Sequence, residues 1–273
     1  MDQLNVRAWE GRTEACEGVV SEVHAAQIHA TLGQANTAPP REGEPMEPLW
    51  HWCAFNPTTP LSELARDGHP ALGDFLPPVR LERRMWASGA LTFNAPLRVG
   101  ERLTKRSFIR SVSEKEGKAG PMVFVSVDHR IYGERGLAIE ERQDIVYLDI
   151  PDRFRPPAAR PLPDAPVLHE QVALSEALLF RYSALTFNGH RIHYDEEYSR
   201  TVEGYDGLVV HGPLLAQLLM LMAERRLGQL RSFAFRATSP LMHHETAQLC
   251  WKNDGTCWVR GPDGRQCMEA QAG

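Results

Sequence analysis

One part of the sequence concentrates side chains that can move protons and orient water. Residues 186–195 read Thr-Phe-Asn-Gly-His-Arg-Ile-His-Tyr-Asp, and His211-Gly212-Pro213 follows about one helix later. These segments hold three histidines, an arginine and an amide around glycine breaks, directly before an apolar run. Histidine changes its charge near neutral pH and therefore serves as a general acid and base. The composition is typical of a functional site and not of a core.

The apolar run after Gly212 predicts a helix over Pro213–Leu227. Proline suits the first turn of a helix, and the run has so little polar relief that we expect burial on most sides. The N–H groups that begin a helix lack partners within it and lie at the positive end of its dipole. They can therefore hold negative charge that develops on a substrate oxygen. A glycine needed only for packing is the alternative reading of Gly212.

Further elements surround this site in the second half. A helix is predicted over Ser175–Leu185, ahead of the polar motif. Alternating patterns and turn residues then predict four strands, Phe233–Ala237, Thr246–Lys252, Thr256–Arg260 and Gln266–Ala270. Five prolines in residues 151–163 predict an extended linker before this half, because proline restricts its own backbone and its neighbour's.

The first half shows a similar order of elements. Apolar spacing predicts a helix over Glu14–Leu32, with Gly33 as its stop, and residues 34–48 have the composition of a long loop. Four strands of an antiparallel sheet follow, predicted at Ala90–Phe93, Arg106–Val112, Met122–Ile131 and Leu137–Leu148. Turns are predicted at 117–120 and 133–136. The pattern as a whole indicates an α+β protein.

Composition excludes several classes of protein. The 273 residues allow one large domain or two ordinary ones, and a net charge of −5 gives no basic face for nucleic acid. Neither a signal peptide nor 18 consecutive apolar residues occur, so we expect a cytoplasmic protein that does not bind membranes. The five cysteines are odd in number and form no CxxC pair, which predicts neither a disulfide framework nor a zinc site.

The second half resembles the MaoC-like, or hydratase 2, family of hotdog enzymes, which add water to acyl thioesters or remove it. Their signature is Asp-x-Asn-Pro-x-His, followed later by His-Gly at the head of the central helix. His193 falls on the signature histidine, His211-Gly212 on the His-Gly pair, and Asn188 where the family has aspartate. The resemblance implies that His193 is the general base and acid, that Asn188 orients water, and that the Gly212 N–H holds the thioester oxygen. It implies neither a metal nor a cofactor, since CoA belongs to the substrate.

Blocks along the whole chain resemble the mesaconyl-CoA and itaconyl-CoA hydratases, relatives of the type 2 hydroxyacyl-thioester dehydratases. The blocks are residues 50–52, 67–70, 73–78, 83–87, 120–125 and 143–147. The resemblance implies a double hotdog, with a first hotdog at 1–150, a linker at 151–168 and a catalytic hotdog at 169–273. It also implies water addition to itaconyl-CoA or mesaconyl-CoA to give citramalyl-CoA, and a homodimer is a further expectation from such relatives.

Several residues are candidates for binding the substrate. Arg191 lies two residues from His193, where its guanidinium could meet the free carboxylate of a dicarboxylic thioester. Arg84 is the rival, and it could equally meet a CoA phosphate. His190 and His211 could contact the substrate or orient their neighbours.

Asn188 cannot accept a proton near neutral pH, because an amide has no basic form there. The first half offers a replacement in Asp67 and His69, whose turn could enter the site, although a plain turn is the simpler interpretation. Three alternatives to the hydratase stay open. They are a dehydratase of type 2 fatty-acid synthesis, a thioester hydrolase and a non-catalytic acyl-CoA-binding module.

Overall fold

A computed structural model describes residues 5–32, 36–117, 120–151, 157–158, 160–163 and 165–273. Its strands are β1 Thr13–Gly18, β2 Arg83–Phe93, β3 Leu103–Gly117, β4 Gly120–Gly133, β5 Gly136–Leu148, β6 Leu168–Val172, β7 Ser232–Ala237, β8 Ala247–Trp251, β9 Thr256–Arg260 and β10 Gln266–Ala272. Its α-helices are α1 Glu22–Thr31, α2 Glu176–Leu185, α3 Glu196–Thr201 and α4 Gly212–Leu227. These elements make it an α+β protein, as predicted.

Within the described residues the strands form one sheet in the order β1-β3-β4-β5-β2-β7-β10-β9-β8-β6. The first five strands and the last five follow the same order, counted outward from the centre. Strands β2 and β7 join the two halves by antiparallel pairing from Ser88 opposite Arg236 to Thr92 opposite Ser232. The sheet is therefore two hotdog units fused edge to edge, which is the predicted double hotdog.

Helix α4 lies against the sheet of the second half and contacts β7, β8, β9, β10 and the central strand β2. Leu214, Ala216, Leu219 and Met222 are among its buried side chains. It begins at Gly212, with Pro213 in its first turn, as the sequence predicts. This burial fixes the position of the helix N-terminus, at which the candidate site lies.

The predicted helix over Glu14–Leu32 was wrong in its first part. Thr13–Gly18 form β1, which pairs with β3 at the edge of the sheet, and only residues 22–31 are helical. Ser21 caps that helix by accepting a hydrogen bond from the His24 N–H. Val19 and Val23 stay exposed, so the apolar spacing did not mark a buried helix face.

The predicted strands were largely confirmed, whereas parts of the predicted linker, loop and turn concern residues that the structure does not describe. The strands predicted in both halves are present, with β2 and β3 longer than expected, whereas the short strand β6 was missed. Residues 152–156, 159 and 164 of the predicted linker lie outside the described residues, as do 34–35 of the predicted loop and 118–119 of the predicted turn. The division at 151–168 stays a prediction.

Candidate active site

A cavity of about 990 Å³ opens where the two halves meet. The first half contributes Arg84 and Trp86 from β2 and His69 from the irregular segment before it. The second half contributes residues of the polar motif and the start of α4. Most of the lining is apolar with a few polar groups among it, which is typical of small-molecule sites.

His193 lies in the cavity wall, in a short 3-10 turn over Arg191–His193. Its Nδ1 is 2.7 Å from the carbonyl oxygen of Val209. Because a carbonyl can only accept, Nδ1 carries the hydrogen and Nε2 keeps a lone pair for a water molecule. Burial lowers the pKa of His193 well below its usual range, and the rings of His211 and His190 lower it further. The imidazole is therefore neutral and able to accept a proton at pH 7.

The backbone at Val209, whose carbonyl accepts the hydrogen bond from His193, is held by hydrogen bonds on both sides. The Val209 N–H donates to the carbonyl of Ile192 at 2.9 Å, and the Val210 N–H donates to Leu241 at 2.8 Å. The backbone of Val209 thus donates to the turn that carries His193 and accepts a hydrogen bond from the His193 ring. Such mutual pairing fixes the direction of the imidazole.

His211 lies behind His193 and not in the cavity wall. The two rings stack with centroids 3.6 Å apart, and Nε2 of His211 is 2.8 Å from the hydroxyl of Ser183 on α2. His211 is fully buried, and burial together with His190 lowers its pKa to about 3. The structure therefore places His211 as a support for the ring of His193, outside the cavity wall.

Gly212 lines the cavity at the first residue of α4. In the described part of the chain, no backbone or side-chain group accepts a hydrogen bond from its N–H. A Cβ added here would meet only the Trp86 carbonyl oxygen, at an ordinary 3.8 Å. Packing against the protein does not demand this glycine. The free N–H suits an oxyanion site.

Asn188 also lines the cavity, and a hydrogen bond fixes the orientation of its carboxamide. Its Oδ1 accepts a hydrogen bond from the His190 N–H at 3.0 Å. The backbone partner is a donor, so the oxygen must face it, and Nδ2 is left as a donor. Asn188 therefore offers N–H groups to the site, where aspartate would offer only acceptors.

The Asp67-Gly68-His69 turn enters the site from the first half. His69 lines the cavity, and its Nδ1 is 2.8 Å from Oδ2 of Asp67. Burial raises the pKa of Asp67, but hydrogen bonds and charge from His69 outweigh it and hold that pKa well below its usual value. Ligand-type atoms of Asp67, His69 and His190 lie within 4.8 Å of one another. A hydrogen bond joins Asp67 to His69, and the rings of His69 and His190 are neighbours with centroids 4.3 Å apart.

Two glycines allow this turn to reach the catalytic motif. Gly68 has φ of +89°, and a Cβ there would lie 2.0 Å from the Gly189 carbonyl oxygen. A Cβ on Gly189 would in turn lie 2.6 Å from the Gly68 carbonyl oxygen. The two backbones are therefore in contact at positions that only glycine can occupy. The Arg191 N–H adds a hydrogen bond to the Asp67 carbonyl at 2.9 Å.

The side chain of Arg191 does not reach the cavity wall. Its Nη2 is 2.7 Å from Oδ2 of Asp195, four residues later, and its guanidinium lies over the ring of Tyr198. Its Nη1 donates to the Arg66 carbonyl at 3.3 Å. The structure thus places Arg191 as a clamp on the first-half turn, because Asp195 holds the guanidinium away from the substrate cavity.

Arg84 does line the cavity, and within the described chain no carboxylate lies within ion-pair distance of it. Its charge lowers the pKa of the nearby His69. Its neighbour Arg83 is buried, by contrast, and its Nε donates to Oε2 of Glu203 at 3.0 Å. Arg83 ties β2 to the second half through that ion pair, whereas Arg84 has no such carboxylate partner among the described residues.

The structure brings together six of the predicted residues around the cavity: His193, Asn188, Gly212, His190, Arg84 and His69. Three residues were missed by the sequence analysis. Val209 acts through its carbonyl, which no side-chain pattern reveals. Ser183 and Glu203 hold His211 and Arg83, and nothing in their local sequence marks them. The exclusion of a metal and of a cofactor stays a prediction.

Residues 49–243 match the model of the family Hydroxyacyl-thioester dehydratase type 2. This match covers well over half of the chain, including every candidate residue above. The chain belongs to that family. Its chemistry is therefore that of a hydro-lyase. In addition, no helix in the described part of the chain is long and apolar enough to cross a membrane.

Relatives extend this finding over the whole chain. A protein of Chloroflexus aurantiacus named mesaconyl-C(4)-CoA hydratase is 40% identical, over 99% of this chain and 98% of its own. A mitochondrial hydroxyacyl-thioester dehydratase type 2 of Schizosaccharomyces pombe is 28% identical, over 78% of this chain and 80% of its own.

Solved structures agree on the fold. A MaoC-like dehydratase of Phytophthora capsici matches with a TM-score of 0.71 at 14% identity, over 100% of this chain and 98% of that one. A Mycobacterium tuberculosis protein with a double hotdog fold matches with a TM-score of 0.59 at 16% identity, over 96% and 95% of the two chains.

Proposed function

We propose that the protein adds water to a branched enoyl-CoA thioester that carries a free carboxylate, mesaconyl-CoA or itaconyl-CoA, and forms citramalyl-CoA. The observation that carries the proposal is Arg84, a cation in the cavity wall without a carboxylate partner in the described chain. A relative that is 40% identical and named for mesaconyl-C(4)-CoA supports the same substrate class.

The proposed reaction uses His193 and Gly212, which line the cavity. With mesaconyl-CoA, whose double bond is conjugated with the thioester, Nε2 of His193 takes a proton from water while the water oxygen bonds to the β-carbon. The electron pair of the double bond moves to the thioester oxygen, where the Gly212 N–H stabilises it. The enolate then collapses, and the His193 imidazolium returns the proton to the α-carbon. Atoms and charge balance over the cycle.

Asn188 suits a substrate with a carboxylate. An aspartate at this position would add a negative charge to the cavity that receives the free carboxylate, and like charges disfavour one another. The amide adds no negative charge to the cavity that Arg84 lines and still donates through Nδ2. The departure from the family pattern is thus consistent with a dicarboxylic substrate.

Initial rates of wild type and Arg84→Gln with mesaconyl-CoA, itaconyl-CoA and crotonyl-CoA test the substrate class. Loss of a charge-assisted hydrogen bond should raise KM for the dicarboxylic thioesters by roughly ten- to a hundredfold. KM for crotonyl-CoA should change little. Arg80→Gln, at an exposed arginine outside the cavity wall, is the matched control. An equal rise in KM for all three thioesters would mean that Arg84 contacts a group common to them, such as a CoA phosphate.

A dehydratase of 3-hydroxyacyl thioesters is the second candidate, favoured by the family match and by the yeast relatives. The same residues would run the reaction in the opposite direction. Wild-type protein that turns over 3-hydroxybutyryl or longer thioesters, and no dicarboxylic thioester, would replace the first proposal with this one. Arg84 in the wall argues against an uncharged acyl chain.

A further inference from the structure

Asn188 leaves a gap in the chemistry. An attacking water has two hydrogens, and an ordered water is oriented by acceptors for both of them. His193 offers one acceptor through Nε2. Oδ1 of Asn188 already accepts the His190 N–H, so at most one of its two lone pairs is left for water.

His69 has the features of that second acceptor. It lines the same cavity as His190 and His193. The His69 and His190 centroids are 4.3 Å apart, and those of His190 and His193 are 5.3 Å apart. Because Nδ1 of His69 is bound to the Asp67 carboxylate, which can only accept, Nδ1 carries the hydrogen. Nε2 is therefore the lone-pair atom left for the cavity.

We propose that His69 is a catalytic residue that accepts a hydrogen bond from the attacking water opposite His193, and that Asp67 is the positioning residue that fixes its tautomer. This inference rests on the proposed hydratase function. One O–H bond of the water breaks as His193 takes that proton. The other O–H bond stays intact, hydrogen-bonded to His69 until it becomes the hydroxyl of the product. His69 itself gains and loses no proton.

The surroundings keep His69 in the form that this role requires. Burial, with the positive charge of Arg84, lowers the pKa of His69 to about 3 against the opposing effect of Asp67. The ring is thus neutral at pH 7, with one donor nitrogen and one acceptor nitrogen. A protonated ring would have no acceptor to offer.

The backbone around the turn distinguishes this role from that of a plain surface turn. Asp67 holds the backbone N–H of His69 at 3.0 Å as well as its ring, so both carboxylate oxygens serve His69. Gly68 and Gly189 pack backbone to backbone, and the Arg191 N–H binds the Asp67 carbonyl. These backbone contacts fix the turn to the segment that carries His193.

The first experiment compares His69→Ala, His69→Gln and wild type by kcat and KM with mesaconyl-CoA. We expect kcat of His69→Ala to fall roughly a hundredfold with KM little changed. Glutamine supplies an amide oxygen as acceptor and should restore part of the loss. Added imidazole should rescue His69→Ala, because the cavity has room for it. A purely structural role would predict lower thermal stability and no rescue.

The second experiment tests whether Asp67 acts through His69. Asp67→Asn can donate to Nδ1 and stabilise the wrong tautomer, so kcat should fall at least tenfold. In the His69→Ala background the same change should have little further effect. Arg66→Gln is the matched control, since its side chain forms only an exposed ion pair with Glu82. If the two substitutions lowered kcat by independent factors that multiply in the double variant, the positioning role of Asp67 would be overturned.

The outcomes separate the two proposals. One outcome is that wild type hydrates the thioester, His193→Ala has no turnover and His69→Ala keeps the wild-type kcat. In that case the role of His69 is overturned and the proposed function stands. If wild type hydrates none of the enoyl thioesters, the proposed function fails and the role of His69 fails with it.

Discussion

The two halves of the molecule share one strand order but differ in what joins their first two strands. Between β6 and β7 the chain forms three α-helices, and the last of them, α4, is buried and begins at the cavity with a free N–H at Gly212. Between β1 and β2 it forms α1 and then a long segment without another α-helix among its described residues. The second half thus supplies a fixed helix terminus and the base.

The first half supplies side chains that such a helix could not. Its irregular segment brings His69 to the cavity, and β2 brings Arg84. The site lies at the line where β2 pairs with β7, so neither half completes it alone. The second half thus contributes the proposed base and oxyanion donor, while the first half contributes the proposed water acceptor His69 and the proposed carboxylate partner Arg84.

The sharpest test compares a buried histidine from each half. His193→Ala should lower kcat about a thousandfold, because it removes the proposed base. His129 in β4 is equally buried and bonded to Ser107, but it does not line the cavity. His129→Ala should lower the free energy of unfolding and leave kcat of the folded protein unchanged. Steady-state kinetics with denaturant unfolding separates these results, and a large loss of kcat in His129→Ala would contradict the division.

The next largest effect should come from the link between the halves. Arg83→Met would leave Glu203 buried without its partner, which should lower the free energy of unfolding by about 3–5 kcal/mol. Arg83→Met with Glu203→Leu should recover part of that loss. The exposed Arg66–Glu82 pair is the control, and Arg66→Ala should cost less than about 1 kcal/mol. Equal denaturation midpoints for wild type and Arg83→Met would show that the buried pair does not join the halves.

Much of the second half could be predicted from the sequence, because its signals are local. His193, Asn188 and Gly212 lie within one short stretch, and the run of α4 from Pro213 to Ala223 is apolar except for Gln217. The first half gave weaker signals. Val19 and Val23 imitate a helix face although they are exposed, so β1 was taken for helix.

The two arginines show why the site was only partly predictable. Arg191 was preferred because it adjoins His193 in the chain, yet Asp195 one helical turn later already holds it. That i to i+4 pair was readable from the sequence. Arg84 is 107 positions before Arg191 and reaches the site only because β2 crosses the centre of the sheet. Long-range pairing of this kind leaves no local pattern.

The pH dependence of stability should involve both halves. Burial lowers the pKa of His69 and His211 to about 3 and that of His129 to about 4, so these rings stay neutral in the folded protein. The unfolded chain takes up protons on them below about pH 6.5. Stability is therefore fully present above that pH and is lost as pH falls toward 4, by up to about 1.4 kcal/mol per pH unit for each ring.

Denaturant unfolding at pH 7, 6 and 5 measures that slope. His129→Asn should reduce the slope by the contribution of one proton, while Asp67→Asn should leave the contribution of His129 in place. A stability that does not change between pH 7 and 5 would mean that these rings are not held neutral by burial.

The smallest expected effect separates Arg191 from Arg84. Arg191→Gln removes the ion pair with Asp195 and the bond to the Arg66 carbonyl but keeps the backbone N–H that holds Asp67. The first-half turn should loosen, and kcat should fall by a fewfold, on the order of 1 kcal/mol or less for a half-exposed pair. The loss should be equal for mesaconyl-CoA and crotonyl-CoA, since this side chain does not face the substrate. A selective rise in KM for mesaconyl-CoA would instead mean that Arg191 binds the free carboxylate. Carboxylate recognition would then belong to the second half.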